Sequence, residues 1–221
     1  MAKKASLTVL QRRFITAVAQ DSELAGRFYL TGGTALAGYY LHHRRSDDLD
    51  FFAQSAVDGR WIIGKLNELA AALGLPIPQY EKLHDRNIFV FNVDRQTFKV
   101  EFSAYPFKQF NKPVWRDGIQ VDNIQDIAAN KLFAAVDRHE PKDLVDLAAI
   151  MLYKRWSPDS LVKLVKRKFL VEFERLTLAD LLKRGSELDF EPKALSRPTL
   201  VQIRAFYRNQ LAATRKHILV G

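Results

Sequence analysis

The stretch Tyr29–Phe52, YLTGGTALAGYYLHHRRSDDLDFF, constrains the fold more than any other part of this chain. Apolar Phe28, Tyr29 and Leu30 predict a strand over 27–31 that ends at Gly32-Gly33, where residues without a Cβ let the backbone bend or a ligand approach. The pattern then predicts a helix over 34–42, a basic loop, and a second strand over 48–52. Backbone N–H groups at the start of that helix have no partner within it and suit an anion. On the second strand, period-2 alternation puts Asp48 and Asp50 on one face and Leu49 on the other. Two carboxylates this close repel unless a cation lies between them. Hard oxygen ligands suit Mg²⁺, which also bridges substrate phosphates. A phosphate-sized turn beside such a pair has the makings of phosphoryl or nucleotidyl transfer. The plainer reading is an ordinary strand-to-helix turn, with strand-end charges answered by Arg44 and Arg45.

Upstream, Leu10, Phe14 and Val18 recur at i, i+4 and i+8 and predict an opening helix over 6–20. Downstream, a helix from Asp58-Gly59 through Leu73 presents Trp61, Ile62, Leu66 and Leu69 on one side, with Gly74 as its stop. Three short runs within 77–103 then read as an antiparallel meander. In the last run Phe98, Val100 and Phe102 alternate with Lys99, Glu101 and Ser103, so Glu101 leaves the face opposite the phenylalanines. Residues 105–121 have turn chemistry and one short strand pair. From Asp122 the periodicity is helical, over 123–138, 141–153, from Ser157-Pro158 onward, over 171–184 and over 198–217. Asp143 and Asp146, three apart, share a helix face. Together these predict an α+β chain of two lobes with a cleft between: residues 1–121 as a mixed sheet with flanking helices, and residues 122–221 as a helical, basic lobe.

With 48% hydrophobic residues among 221, the chain has enough apolar material for a sizeable core. The absence of cysteine excludes disulfides and thiolate catalysis. No apolar run approaches the roughly 20 residues that span a bilayer, and the N-terminus lacks the apolar core of a secretory signal. The expectation is a cytoplasmic protein with no membrane partner. The net charge of +9 is unevenly placed: residues 151–221 carry 15 basic against 7 acidic side chains. Such a basic region is an electrostatic footprint for a polyanion, with nucleic acid the leading candidate and a solvated helical surface the plain alternative.

Gly32-Gly33-Thr34, a helix, His43-Arg44-Arg45-Ser46 and Asp48-Leu49-Asp50 together resemble the nucleotidyltransferase-superfamily signature, and more closely the AbiEii/AbiGii toxin-type nucleotidyltransferases. The likeness returns at Glu101-Phe102-Ser103-Ala104-Tyr105-Pro106, at Asp126-Ile127-Ala128 with Lys131, and at Lys142-Asp143-Leu144-Val145-Asp146-Leu147. The last 70 residues carry no matched motif. The resemblance implies a polymerase-β-like nucleotidyltransferase core plus a helical lobe. It also implies Mg²⁺-dependent transfer of NMP from an NTP to an acceptor, which in toxin relatives is the tRNA 3′ end, and a cognate antitoxin as partner. By position, Gly32, Gly33 and Thr34 would cradle the triphosphate, with Arg44, Ser46 and Lys131 adding contacts. Asp48 and Asp50 would hold the metal, and Asp146, with Asp143 beside it, would complete the catalytic set.

Glu101 is the candidate third carboxylate for activating the attacking hydroxyl, because its strand can lie beside that of Asp48 and Asp50; its plain alternative is a pair with Lys99 or Arg95. Lys131 without the resemblance reads as a solvated helix charge, and Asp143 as a counter-charge to Lys142. Adjacent His42 and His43 point apart and are discounted as a metal pair. Tyr105 and Trp115, in loop-like sequence, are candidates for stacking a base. Two rivals stand beside the RNA-modifying toxin: a non-catalytic nucleotide- or RNA-binding module, and a transferase that nucleotidylates a protein.

Overall fold

The computed structural model describes residues 7–94, 96–190 and 198–218, of which 215–218 are backbone alone. The chain divides into two compact units. One comprises residues up to Tyr39 together with Ser46–Asn123, and the other Tyr40–Arg45 together with the chain from Ile124.

The first unit is built on a seven-stranded mixed sheet. Its strands are β1 (Tyr29–Thr31), β2 (Leu49–Ala53), β3 (Gln79–Leu83), β4 (Arg86–Val93), β5 (Gln96–Ala104), β6 (Val114–Arg116) and β7 (Ile119–Val121), in the order β3-β4-β5-β2-β1-β7-β6. β3, β4 and β5 form the expected antiparallel meander. β1 pairs antiparallel with β2 and parallel with β7, while β2 runs parallel to β5. Leu49, Phe51 and Ala53 of β2 alternate inward, and in β5 Phe98, Val100 and Phe102 are buried together with Glu101 and Ser103 on the other face. α1 (Val9–Gln20) packs Phe14 edge-on against Phe91 and Phe98. α4 (Gly59–Leu73) brings Trp61 over Phe28, which in turn meets Phe102. Each fully buried phenylalanine contributes about 1.5–3 kcal/mol, which makes this aromatic layer the main support of the sheet. Short α2 (Ser22–Arg27), capped by Asp21, leads into β1.

The expected helix after the glycines takes a less regular form. One α-turn, α3 (Gly32–Ala35), widens into a π-helix over Leu36–Leu41, and positive φ at His42 ends it. Asp48 lies just before β2 rather than within it.

The second unit is helical: α5 (Ile124–Asp137), α6 (Pro141–Lys154), α7 (Pro158–Phe169), α8 (Arg175–Ser186) and α9 (Leu200–Ile218). Pro141 and Pro158 occupy first turns, where a missing N–H costs no hydrogen bond. α8 starts later than the periodicity predicts, because Leu170 closes α7 in the left-handed conformation and the chain runs extended to Glu174. Tyr207 of α9 is fully buried, and its hydroxyl donates to the Leu144 carbonyl at 2.7 Å. Its ring lies where a Cβ on Gly185 would be, so α9 seats against α8 at a glycine. Among the described residues no helix is long and apolar enough to cross a membrane.

Candidate active site

The first unit gathers its acidic and glycine residues where β1 ends. Gly32 has φ +70°, a conformation that costs an L-residue roughly 1–2 kcal/mol. A Cβ built there would collide with Oδ2 of Asp50, so Asp50 packs its carboxylate directly against the Gly32 backbone. The register explains this closeness: Asp50 lies opposite Thr31 across the antiparallel β1–β2 pair, one residue from the glycine. Thr34 donates its hydroxyl to the Asp48 carbonyl and so ties the glycine turn to the carboxylate strand. Buried Gln11 holds the same loop from behind, donating to the carbonyls of Ser46 (2.7 Å) and Asp47 (3.2 Å). Ser46 is therefore placed through its backbone.

On the outward face of the sheet, Asp50 of β2 stands beside Glu101 of parallel β5. Asp48 makes its ion pair with Lys99 (3.1 Å), so the charge that answers it comes from β5. Both groups are about one-third exposed, where such a pair is worth at most about 1 kcal/mol and a stronger cation can displace the lysine. Glu101 is differently held. Its Oε1 accepts from Arg86 Nε (2.8 Å) and from the Ser103 hydroxyl (2.6 Å), and its Oε2 from Arg86 Nη2 (2.5 Å). Burial pushes this carboxyl up, but the hydrogen bonds from Arg86 and Ser103 outweigh burial and hold it below its ordinary value. A carboxylate held this way is a weak proton acceptor. Of its two alternative sequence-level partners, Lys99 pairs with Asp48, and Arg95 lies outside the described residues.

Among the described residues no three His, Asp or Glu side chains gather around a common metal position. Asp48 and Asp50 remain as the donor set, with Glu101 committed to Arg86. Two partly exposed carboxylates, with waters and phosphate oxygens to complete the shell, fit the manner in which proteins hold Mg²⁺.

The second unit holds a buried ionic cluster. Asp146 of α6 is fully buried and accepts from Arg44 Nε (2.6 Å) and Nη2 (2.8 Å), while His43 Nε2 lies 2.8 Å from its Oδ1. Lys131 of α5 reaches Asp146 Oδ2 at 2.7 Å and Asp143 Oδ1 at 2.8 Å, so the two aspartates that share a helix face converge on one ammonium. Arg138 closes the other side of Asp143 through Nε (2.8 Å) and Nη2 (3.0 Å). Burial pushes Asp146 up, yet Lys131 and Arg44 hold it well below the carboxylate range. Burial likewise pushes Lys131 down, but Asp146 and Asp143 raise it above the ordinary lysine value. Lys131 is thus a buried, charged group rather than a solvated one, and Asp143 answers Lys131 and Arg138 rather than Lys142. Lys131, Arg44 and Arg138, three cations, thus face two carboxylates.

The predicted residues therefore fall into two sets. Gly32, Gly33, Thr34, Ser46, Asp48, Asp50 and Glu101 lie in the first unit, and Arg44, Lys131, Asp143 and Asp146 in the second. Sequence reading missed Gln11 and Arg86 as partners of the set, and named Lys99 for Glu101 rather than for Asp48. Gln11 carries one local signal, since it closes a capping box with Thr8. Arg86 and Lys99 meet their partners across strands, where only register locates them. Tyr105 stacks on Phe52 at 4.6 Å, while Trp115 is exposed.

The sequence profile of the family described as nucleotidyl transferase AbiEii toxin, type IV toxin–antitoxin system, matches residues 13–216. The Aquifex aeolicus (strain VF5) protein aq_aa25 is 32% identical over 146 residues, 64% of this chain and 66% of its own length. Among solved structures, JHP933 from Helicobacter pylori superposes with a TM-score of 0.59 at 22% identity, covering 96% of this chain and 93% of that one. A second H. pylori chain, a candidate nucleotidyltransferase, gives a TM-score of 0.58 at 21% identity over 94% of each.

Proposed function

This chain belongs to the AbiEii nucleotidyl transferase toxin family, and from that premise we propose that it transfers NMP from an NTP to an RNA acceptor, with tRNA first among candidates. The observation that carries this reading is the Gly32–Asp50 contact. A glycine turn with one carboxylate set directly against its backbone, and a second, partly exposed carboxylate two residues earlier, supports a phosphate and a cation sharing that turn.

In this reading Gly32, Gly33 and Thr34 receive the triphosphate, and the Thr34 contact to the Asp48 carbonyl keeps that turn in step with the carboxylates. Asp48 and Asp50 would hold Mg²⁺, which when bound would neutralise phosphate charge and lower the pKa of an attacking hydroxyl. Lys99, paired with Asp48 at a partly exposed position, would give up that contact to a bound cation. Glu101 acts through Arg86, keeping the outward face of β5 ordered beside Asp50. Lys131 keeps two of its three donors on aspartates of its own unit, and its phosphate-binding part in this reading comes from the family resemblance. Asp146 and Asp143 hold Lys131 charged, and Arg44 shares Asp146 with it, so the second unit carries a fixed group of buried cations. The toxin role, with a cognate antitoxin as partner, follows from the same family assignment.

The test is incorporation of each of the four α-³²P-labelled NTPs into total tRNA, with Mg²⁺ and with EDTA. Label that requires Mg²⁺ and is lost in Asp50→Ala is the expected result. A folded Asp48→Ala/Asp50→Ala protein that still labels RNA overturns the mechanism, and label in protein bands alone moves the acceptor from RNA to protein.

A further inference from the structure

At the corner between α6 and α7 the chain reads Leu152-Tyr153-Lys154-Arg155-Trp156. Tyr153 is 61% exposed and Leu152 43%, although both lie on a helix whose other residues from Asp143 to Met151 are buried. Lys154 Nζ lies 5.8 Å from the centre of the Tyr153 ring and 5.9 Å from that of Trp156, so one ammonium faces two aromatic rings. The backbone fixes this arrangement. Arg155 closes α6 in the left-handed conformation and bonds back to the Met151 carbonyl, and the Trp156 N–H bonds the same carbonyl at 3.0 Å. Ser157 then caps α7, accepting from the Ser160 N–H.

Lys154 is set apart by the two rings beside it rather than by charge alone, since Lys142, Lys163 and Lys183 likewise make no ion pair among the described residues. Arg138, Lys166, Lys168 and Arg184 each pair with a carboxylate. Among the described residues, Lys154 and Arg155 have none within ion-pair distance. They also begin the segment 151–221, where basic residues outnumber acidic ones 15 to 7. An exposed ring and a half-buried one beside cations that lack carboxylates, on a backbone fixed by two helix ends, are the ingredients of single-strand recognition: a base stacks on a ring while phosphates meet the charges.

We propose that the α6–α7 corner is a docking platform for single-stranded RNA, with Tyr153 as the stacking ring and Lys154 and Arg155 as the phosphate contacts. The proposal rests on the reading of RNA as the acceptor and names a place where that acceptor is gripped. An acidic protein surface would meet the same cations but has no use for the exposed tyrosine ring.

The test is fluorescence anisotropy of a labelled single-stranded RNA oligonucleotide with the full chain, without NTP, across roughly 50–200 mM salt. Tyr153→Ala is expected to weaken binding about ten-fold. Lys154→Gln/Arg155→Gln is expected to lower the log–log salt slope by about 1.4, two phosphates at ~0.7 each for a single strand. Unchanged melting temperatures establish that both variants fold. Affinity and slope equal to wild type overturn the platform, as does an equal loss for poly-glutamate, which would assign an acidic protein instead. Because binding is read without NTP, failure of RNA labelling by the wild-type chain defeats the transfer reading separately. Labelling by wild type with unchanged variant binding defeats only the platform.

Discussion

Gly32 and Asp50 act as one unit, and their coupling is measurable. Gly32→Ala meets two penalties, about 1–2 kcal/mol for the left-handed backbone and a Cβ that displaces the Asp50 carboxylate. We expect a loss of roughly 2–3 kcal/mol in urea denaturation and a larger proportional loss of labelling activity. Asp50→Ala empties the space the new methyl needs, so the double variant should recover part of that stability while remaining inactive. Strict additivity of the two stability changes would show that the residues do not share the space. Both residues were legible in the sequence, because a glycine pair followed by alternating aspartates is a local pattern. The partners of Asp48 and Glu101 were not. Lys99 and Arg86 reach them across strands, where only register locates them.

At the level of elements, α5 and α6 are joined by an ionic cluster whose pH dependence has a definite sign. Asp146 and Asp143 lie below the ordinary aspartate value of 3.8 in the folded chain, each despite burial, because Lys131 and its neighbours favour the charged form. Their stabilisation is fully present above that ordinary value and is lost as pH falls through the depressed folded values. Lys131 lies above the ordinary 10.5, so its share is present below that value and disappears as pH rises through the raised one. Asp146→Asn should cost about 3–5 kcal/mol at neutral pH by leaving buried cations short of charge. The variant's stability should also fall less steeply on acidification than wild type's. Parallel pH–stability curves for the two proteins would count against the cluster's role. The helices themselves were readable from periodicity, down to Pro141 and Pro158 in their first turns. The convergence of Arg44 with Asp146 was not, since the two are 102 residues apart in sequence. Nor was the π-helix, because LAGYYL carries the same apolar pattern that an ordinary helix would show.

For the whole molecule, the family assignment predicts a cellular phenotype as well as a chemistry. Induced expression without an antitoxin should arrest growth, and Asp50→Ala should relieve the arrest at equal protein level. Arrest that persists with the Asp50→Ala chain would place toxicity elsewhere, for example in RNA sequestration by the basic region. The α+β class and the order of elements were accessible from sequence because nearly every element announces itself by period, cap or breaker. The division of the chain was less so, because Tyr40–Arg45 groups with the helices from Ile124 onward although it follows the glycine turn directly. The passage from one unit to the other thus falls inside the wide turn over Leu36–Leu41. Shortening that turn by one residue would make it an easier helix to form, yet each α-helical residue carries about 100° of rotation. His43 and Arg44 would then emerge facing away from Asp146. In this segment the number of residues is as much a determinant as their identity, and homologous chains should tolerate substitutions there far better than insertions or deletions.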